Sequence, residues 1–239
     1  MLRLTVDPKT LYLNTKWTFY IHVHSVSFTF GTSFLKAAEV YTVADFWCLI
    51  NNISCKDLHS NLLMFEGKRV TTFSFFKEDI TPEWEHSINY QGCEWGCREE
   101  LTDKTFEKLF IGLTLKCVNS EFNNVVGIRC INKSNKLRDL FKIEIWMEMS
   151  TEEEINFVKQ NIDELCQQYE TSLLFTLLSH KEKQDKAIDF FKKKYRVQPA
   201  IVSQSTTNYG TPQINILKVF IITIMIVATT YTLPDLLRK

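Results

Sequence analysis

The chain has 239 residues, of which 45% are hydrophobic and 13% aromatic, and it is long enough to bury one hydrophobic core. Lysine and arginine together number 28, as do aspartate and glutamate, so the formal net charge is zero. This balance excludes a global basic field that would draw the chain onto nucleic acid. Any contact with RNA must therefore be local and specific.

The seven cysteines are scattered along the chain and odd in number. Cys93 and Cys97 are close in sequence, but no second pair or neighbouring histidine completes a metal site. We therefore predict free thiols in a reducing compartment, and neither a metal nor a cofactor. The first residues lack the long apolar run of a signal peptide, which favours a cytoplasmic location.

The predicted elements begin with a half-buried strand over 17–28, where apolar and polar residues alternate. Thr42 and Asp45 resemble a capping box and predict a helix to about residue 53. The other predicted elements are strands at 71–77, 94–98, 126–132, 140–148 and 172–178, and helices at 102–115 and after the cap at 150–153.

The strands alternate between apolar and polar residues rather than being apolar throughout. This pattern favours an α+β fold with a single antiparallel sheet, about three helices on its convex face, and the other face open.

The character of the chain changes after residue 197. A polar linker is predicted at 198–213, followed by a hydrophobic tail at 214–239. The 18 residues 216–233 would span about 27 Å as a helix, close to the thickness of a thin bilayer. A tail anchor that tethers the chain to a cytosol-facing membrane is therefore predicted, with a packed strand or loop and a disordered appendage as open alternatives.

Two tryptophans indicate a binding site. Trp84 and Glu85 follow Pro82, and a tryptophan beside a carboxylate suits a flat, cationic base: the indole stacks on its ring while the carboxylate accepts from its N–H groups. Trp146 lies in a predicted strand and shares one face with Lys142 and Glu144. A tryptophan on a charged face is not where a core requires it.

These residues resemble the mRNA cap-binding translation initiation factor 4E family over about 13–197, which leaves 1–12 as an N-terminal extension. The resemblance rests on tryptophans and their neighbours at fixed offsets: Trp17, Thr42, Val43, Asp45, Phe46, Trp47, Phe76, Lys77, Ile80, Pro82, Trp84, Glu85, Asn89, Gly92, Trp95, Ile145, Trp146, Ser179 and His180. It implies a curved antiparallel sheet with helices on its convex side. It also implies a ligand, the 7-methylguanosine triphosphate at the mRNA 5′ end.

By this resemblance, Trp84 stacks on one side of the methylated guanine, and Phe30 stands where the family usually has a second tryptophan. Glu85 accepts from the N1–H and N2–H₂ groups of the base, and Trp146 packs against the methyl group. The implied phosphate-binding residues are Lys133, Lys136, Arg138 and Lys142.

Glu94 departs from the family pattern, because it stands at a third basic position. A carboxylate there is expected to repel the phosphates and weaken binding, unless Arg98 or Lys136 compensates its charge.

The resemblance also implies a surface for protein partners. Val43, Trp47 and Ile111 match the positions that grip a short helix from the scaffold initiation factor 4G or from 4E-binding proteins. Gly112 stands where the family usually has an acidic residue.

We therefore predict a protein that binds capped mRNA for translation initiation. No nucleophile–base pair or phosphate loop indicates an enzyme. Two alternatives stay open: a repressor-type member that binds the scaffold weakly, and a membrane-tethered interaction protein that has lost cap binding.

Overall fold

The computed structural model describes residues 11–23, 34–134 and 138–195. Within these ranges the chain forms eight strands and six helices. The strands are β1 (Tyr12–Val23), β2 (Phe34–Thr42), β3 (Met64–Phe65), β4 (Lys68–Lys77), β5 (Cys93–Glu100), β6 (Val125–Asn132), β7 (Leu140–Met147) and β8 (Thr176–Ser179). The helices are α1 (Val43–Asn52), α2 (Cys55–His59), α3 (Ser87–Tyr90), α4 (Asp103–Val118), α5 (Glu152–Gln168) and α6 (His180–Tyr195).

The strands form one curved sheet in the order β2-β1-β4-β6-β7-β5-β8, and β3 pairs with β4. All neighbouring strands are antiparallel. The predicted α+β fold with a single antiparallel sheet is therefore confirmed. The three helices predicted on one face of the sheet correspond to α1, α4 and α5, whereas the short helices α2 and α3, the C-terminal helix α6 and strand β2 were not predicted.

Local sequence determines where the main helices begin. At α1, the Thr42 N–H donates to the Asp45 carboxylate at 2.9 Å, and the Asp45 N–H donates to the Thr42 hydroxyl at 3.0 Å. This is the predicted capping box, in which side chains satisfy N–H groups that lack partners within the helix. At α5 the same device uses Thr151 and Glu154, one residue later than predicted.

The main core lies on one face of the sheet, beneath α1, α4 and α5. Its aromatic centre includes Trp17, which stacks on Phe75 with ring centroids 5.2 Å apart. Phe75 and the next residue of β4, Phe76, point to opposite faces, as the pleat of a strand requires. Phe76 therefore belongs to a second, smaller cluster on the other face of the sheet, whose buried members are Phe76, Ile80, Val126 and Trp146.

Gly127 on β6 makes the second cluster possible. A Cβ atom at this position would lie 2.4 Å from the ring of Phe76, which is closer than carbon atoms can approach. The absent side chain lets the Phe76 ring lie across β6 and meet Trp146 at a centroid distance of 5.4 Å.

All the described strands, helices α1 to α5 and the first four residues of α6 belong to one compact unit that ends at Lys183. The rest of α6 belongs to a second unit. The predicted domain boundaries at 13–197 stay a prediction. Phe30, Lys136, the linker at 198–213 and the tail at 214–239 lie outside the described residues.

Among the residues that the structure describes, no helix is both long and apolar enough to cross a membrane. The predicted tail anchor falls outside those residues and stays a prediction.

The seven cysteines are free thiols, as predicted. Cys48 is exposed, whereas burial raises the pKa of Cys93 to about 11 and the pKa values of Cys55, Cys97 and Cys117 to about 12. The remaining two thiols are also buried, with raised pKa values.

Because a thiolate is the reactive form, we expect a maleimide near neutral pH to label Cys48 rapidly and the other thiols slowly. The Cys48→Ser variant should lose the fast phase, and the control Cys93→Ser should keep it. Mass spectrometry of the labelled protein checks this. A second thiol that reacts as fast as Cys48 would contradict the described packing.

Candidate functional site

The loop that carries Trp84 and Glu85 is held by a buried side chain from α3. The Asn89 side-chain amide donates to the backbone carbonyls of Thr81 and Glu83, at 2.8 Å in each case. Pro82 between them is buried, which further fixes the backbone. The loop is therefore positioned by hydrogen bonds on the residues immediately before the tryptophan.

Trp84 is half-buried and packs against the second cluster, so it lies on the face of the sheet opposite the main core. Glu85 is exposed. The loop thus carries a half-buried indole followed directly by a solvent-accessible carboxylate, and their role as a ligand site stays a prediction. Both belong to the unit that contains the sheet.

Trp146 lies on the predicted face with Lys142 and Glu144, but its ring is fully buried. Its indole N–H donates to the Glu144 carboxylate at 2.9 Å, and its ring centroid lies 4.4 Å from that of His180. The interpretation that a tryptophan on a charged face does not belong to a core was therefore wrong, because Trp146 is a buried member of the second, smaller cluster. Contact of Trp146 with a ligand methyl group stays a prediction, and it requires a neighbouring side chain to move.

Glu94 sits beside Trp146 across the β5–β7 pair and has no exposed side-chain surface. Its Oε1 atom accepts from Lys142 at 3.2 Å and from Lys183, and its Oε2 atom lies 3.3 Å from His180 Nε2. His180 is itself oriented by its Nδ1 atom, which donates to the backbone carbonyl of Asn89 at 2.7 Å.

The charge of Glu94 is therefore neutralised within the protein. Burial alone would raise the pKa of Glu94, but the close approach of His180 and the charges of Lys142 and Lys183 outweigh it and lower that pKa to about 2. The cations that compensate Glu94 are thus Lys142 and Lys183 rather than Arg98 or Lys136, and the weaker phosphate binding expected from Glu94 stays a prediction.

A second buried carboxylate, Glu144, extends the network. It accepts from Lys142 and lies 3.2 Å from the Arg129 guanidinium. Arg129 also lies over the ring of Trp146, at 5.3 Å from its centroid, and over the ring of Phe34, at 5.6 Å. These contacts connect three neighbouring strands and β2 on one face.

Sequence reasoning missed two cations of this network, Arg129 and Lys183. Alternation along β6 could have indicated Arg129, because it places that side chain on the face opposite Ile128 of the core. Lys183 carries no such signal, because the helix that contains it was not predicted. The network of three cations and two carboxylates has one positive charge in excess.

The structure separates the other predicted phosphate-binding residues. Lys133 is near the network: partial desolvation and the positive charges of Arg129, Lys142 and Arg98 lower its pKa. Arg138 lies instead at the far end of β5, with its Nε atom 3.7 Å from Glu100. Glu100 lies six positions along β5 from Glu94, a distance of about 20 Å, so Arg138 does not join the network.

The predicted partner surface lies on the helix side of the sheet. A cavity of about 340 Å³ is lined by Val43 and Trp47 of α1, Leu115 of α4, and Leu165 and Tyr169 at the end of α5, among others. Trp47 is 43% exposed, which is high for an indole on the core side of a domain. The apolar lining and the exposed indole suit a helix with apolar anchors.

Two residues of this surface differ from expectation. Ile111 is half-buried against the main core and does not line the cavity, whereas Gly112 does. A Cβ atom at Gly112 would lie 2.7 Å from the Tyr169 hydroxyl. Tyr169 therefore occupies the space that a side chain at position 112 would require.

A curved antiparallel sheet with a tryptophan–carboxylate loop and an ionic network on one face, and a helix-lined cavity on the other, is the architecture of a binding domain. The family model described as Eukaryotic initiation factor 4E matches residues 12–195. The chain belongs to this family.

Among curated relatives, the chain is 30% identical over 125 residues to eukaryotic translation initiation factor 4E of Dictyostelium discoideum, a match that covers 51% of this chain and 44% of the relative. It is 26% identical over 155 residues to isoform 4E of Solanum lycopersicum, covering 62% of this chain and 71% of the relative. The chain thus matches less than half of the Dictyostelium protein.

Solved structures share the fold. The Caenorhabditis elegans eIF4E-3 chain in complex with the 4E-binding protein Mextli has a TM-score of 0.59 at 18% identity, covering 72% of this chain and 95% of that chain. Ascaris suum eIF4E-3 in complex with m7G cap has a TM-score of 0.55 at 20% identity, covering 66% and 84%.

The lowered pKa of Glu94 gives a testable dependence of stability on pH. A carboxylate with a depressed folded-state pKa stabilises the fold above its unfolded pKa, and that stabilisation is lost as pH falls through the folded pKa. For Glu94 the window runs from 4.5 down to about 2. The contribution is on the order of 3 kcal/mol at neutral pH.

We expect the free energy of unfolding of the Glu94→Gln variant to depend less steeply on pH than that of the wild type within this window. Urea unfolding at a series of pH values measures the slope. Glu107→Gln, which alters an exposed carboxylate on α4, serves as the control and should keep the wild-type slope. Equal slopes for all three proteins would show that Glu94 is not stabilised in its ionised form.

Proposed function

We propose that the chain binds the 7-methylguanosine 5′ cap of mRNA and recruits the capped mRNA for translation initiation, as a binding protein rather than an enzyme. The observation that carries this proposal is the braced loop that presents Trp84 and Glu85 together on the polar face of the sheet. In this proposal the cap-binding domain covers 13–197 and functions in the cytoplasm.

The residue types suit a methylated guanine. Methylation at N7 gives the base a positive charge, so stacking on Trp84 becomes a cation–π contact worth about 2 kcal/mol when desolvated. The exposed carboxylate of Glu85 accepts two N–H donors from the base edge, a contact worth about 1–3 kcal/mol of discrimination. Phe30 is proposed as the second stacking ring, and Trp146 as the contact for the methyl group.

The triphosphate is proposed to lie near the ionic network, where Lys142 and Lys133 provide positive charge. Because the charge of Glu94 is neutralised by its neighbours, it does not oppose the phosphates as strongly as a free carboxylate would. Lys136 and Arg138 are proposed as more distant contacts, and Arg138 would reach a longer RNA rather than the first phosphates.

Relatives with known complexes support the proposal. The similar Ascaris suum protein has been solved with the m7G cap and with the m2,2,7G cap. The similar Caenorhabditis elegans protein has been solved with Mextli and with a cap analogue. We propose correspondingly that the cavity beside Val43 and Trp47, with Ile111 next to it, takes a helix from the scaffold initiation factor 4G or from a 4E-binding protein.

Replacement of Trp84 or Glu85 should separate cap binding from folding. We expect Trp84→Ala and Glu85→Gln each to weaken the affinity for 7-methylguanosine triphosphate by about tenfold to a hundredfold, from loss of one stacked ring or of one charged acceptor pair. Tryptophan fluorescence quenching measures the affinity. Unmethylated GTP should bind far more weakly to the wild type.

Two matched controls accompany these variants. Trp47→Ala removes a tryptophan from the opposite side of the sheet, and Glu78→Gln removes an exposed carboxylate that pairs with Lys16 at 3.2 Å. Both should bind the cap analogue as the wild type does. If the folded wild type is not quenched by the methylated ligand, the cap-binding proposal fails and the interaction protein without cap binding becomes the better hypothesis.

Trp47→Ala should weaken binding of a scaffold-derived helical peptide, because an indole in an apolar pocket is typical of the residues that dominate binding energy. The expected loss is about 2 kcal/mol or more, roughly thirtyfold in affinity. Isothermal titration calorimetry measures it. Phe65→Ala is the control, because Phe65 is exposed to a similar degree, 40%, and does not line the cavity.

The same titration distinguishes an initiation factor from a repressor-type member. The second candidate is favoured by Tyr169, which occupies the space beside Gly112 where the family usually has an acidic side chain. A wild type that binds the cap analogue but not the scaffold peptide would support the repressor.

A further inference from the structure

Lys183 connects the two parts of the candidate site. Its amine bonds to the buried Glu94 carboxylate and lies over one face of the Trp84 ring, 5.6 Å from the ring centroid, so that a stacked base would use the other face or displace the amine. The residue lies in the first turn of α6, and the structure places it in the same compact unit as the sheet. A cation is thereby fixed next to the aromatic surface on which a base would stack.

We propose that Lys183, positioned by Glu94, is a phosphate-binding residue of this site and supplies the cation that position 94 lacks. The inference rests on the proposed function and extends it to a residue outside the predicted site. A carboxylate at position 94 then recruits positive charge to the phosphates through its partner instead of repelling them.

The hydrogen-bonding capacity of the amine supports this role. A lysine ammonium has three donors, and Glu94 takes one of those of Lys183. The Lys183 side chain is 18% exposed, so a ligand can approach it without breaking the contact with Glu94. Lys142, in contrast, contacts two carboxylates, Glu94 and Glu144.

Geometry also favours a phosphate over the base as the group that Lys183 meets. One ribose separates the base of a nucleotide from its 5′-phosphate, so a base stacked on Trp84 brings its phosphates within reach of an amine beside that ring. The base itself is cationic when methylated and would be repelled by the ammonium. The ligand class is therefore a nucleoside 5′-phosphate with its phosphates directed toward β5 and the start of α6.

Glu94 does not depend on Lys183 alone. Lys142 lies 3.2 Å from one of its oxygen atoms and His180 lies 3.3 Å from the other. If the Lys183 amine turns toward a phosphate, the carboxylate keeps its ion pair with Lys142. Lys183 can thus bind a phosphate while Glu94 stays paired with a cation.

The test compares three ligands on the full chain: 7-methylguanosine, its 5′-monophosphate and its 5′-triphosphate. We expect Lys183→Gln to weaken triphosphate binding by about tenfold to a hundredfold, the effect of losing one charge-assisted hydrogen bond. Binding of the nucleoside should be unchanged. The slope of log affinity against log salt for the triphosphate should fall by about one in magnitude.

Two further variants are matched to this one. Lys183→Arg keeps the charge and should restore most of the triphosphate affinity. Lys181→Gln removes an exposed lysine from the same helical turn and should leave all three affinities unchanged. If Lys183→Gln does not fold, as judged by circular dichroism, the neutral pair Lys183→Gln with Glu94→Gln is compared with Glu94→Gln alone. A smaller loss of triphosphate affinity is then expected, because Glu94→Gln already removes the carboxylate that positions Lys183.

Three results would overturn the proposal while leaving the proposed function intact. Unchanged triphosphate affinity would make Lys183 a counter-ion of Glu94 only, and an equal loss for nucleoside and triphosphate would make its role structural. Tighter binding of all methylated ligands would show that the ammonium competes with the cationic base. If the folded wild type binds none of the three ligands, the proposed function itself fails and this inference fails with it.

Discussion

Burial of the Glu94 carboxylate is the constraint on which the polar face of the sheet depends. An ionised carboxylate without exposed surface costs several kcal/mol unless it is compensated. Its partners, Lys142 and Lys183, come from β7 and from the start of α6, so one charge ties these elements to β5. Lys142 also forms an ion pair with Glu144. The Glu144 carboxylate in turn pairs with Arg129 and accepts a hydrogen bond from the indole N–H of Trp146.

The pleat of the strands explains why much of this arrangement was predictable. The period-two pattern of β7 places Lys142, Glu144 and Trp146 on one face, and the apolar residues between them belong to the main core. The capping box at Thr42 and Asp45 was equally accessible, because it depends on four consecutive residues. The pattern could not reveal what covers Trp146, since the loop before Trp84 and the His180 ring come from elsewhere in the chain.

The role of Glu94 could not be predicted for the same reason. Its two lysine partners are 48 and 89 residues away in sequence, so the register of three strands must be known before its charge can be assigned a partner. Considered by position alone, it is a carboxylate among residues that the family resemblance predicts to bind phosphate. The surroundings of Gly112 could not be predicted for the same reason. The space beside it is filled by Tyr169, which lies at the end of a different helix.

The two candidate surfaces rest on consecutive residues of β4. Phe75 stacks on Trp17 and meets Phe46 of α1 at 6.3 Å, on the side of the partner cavity, whereas Phe76 meets Trp146 on the side of the ionic network. Because these rings pack closely on both sides of β4, they fix the position of the strand from both faces. Trp47 contacts Phe46 at a ring-centroid distance of 5.2 Å, and Trp84 packs against the second cluster, so each partly exposed indole is held by the rings on its own face. The sheet itself therefore separates the charges around Glu94 from the cavity beside Trp47, because the two sets of residues pack against opposite faces of the same strand.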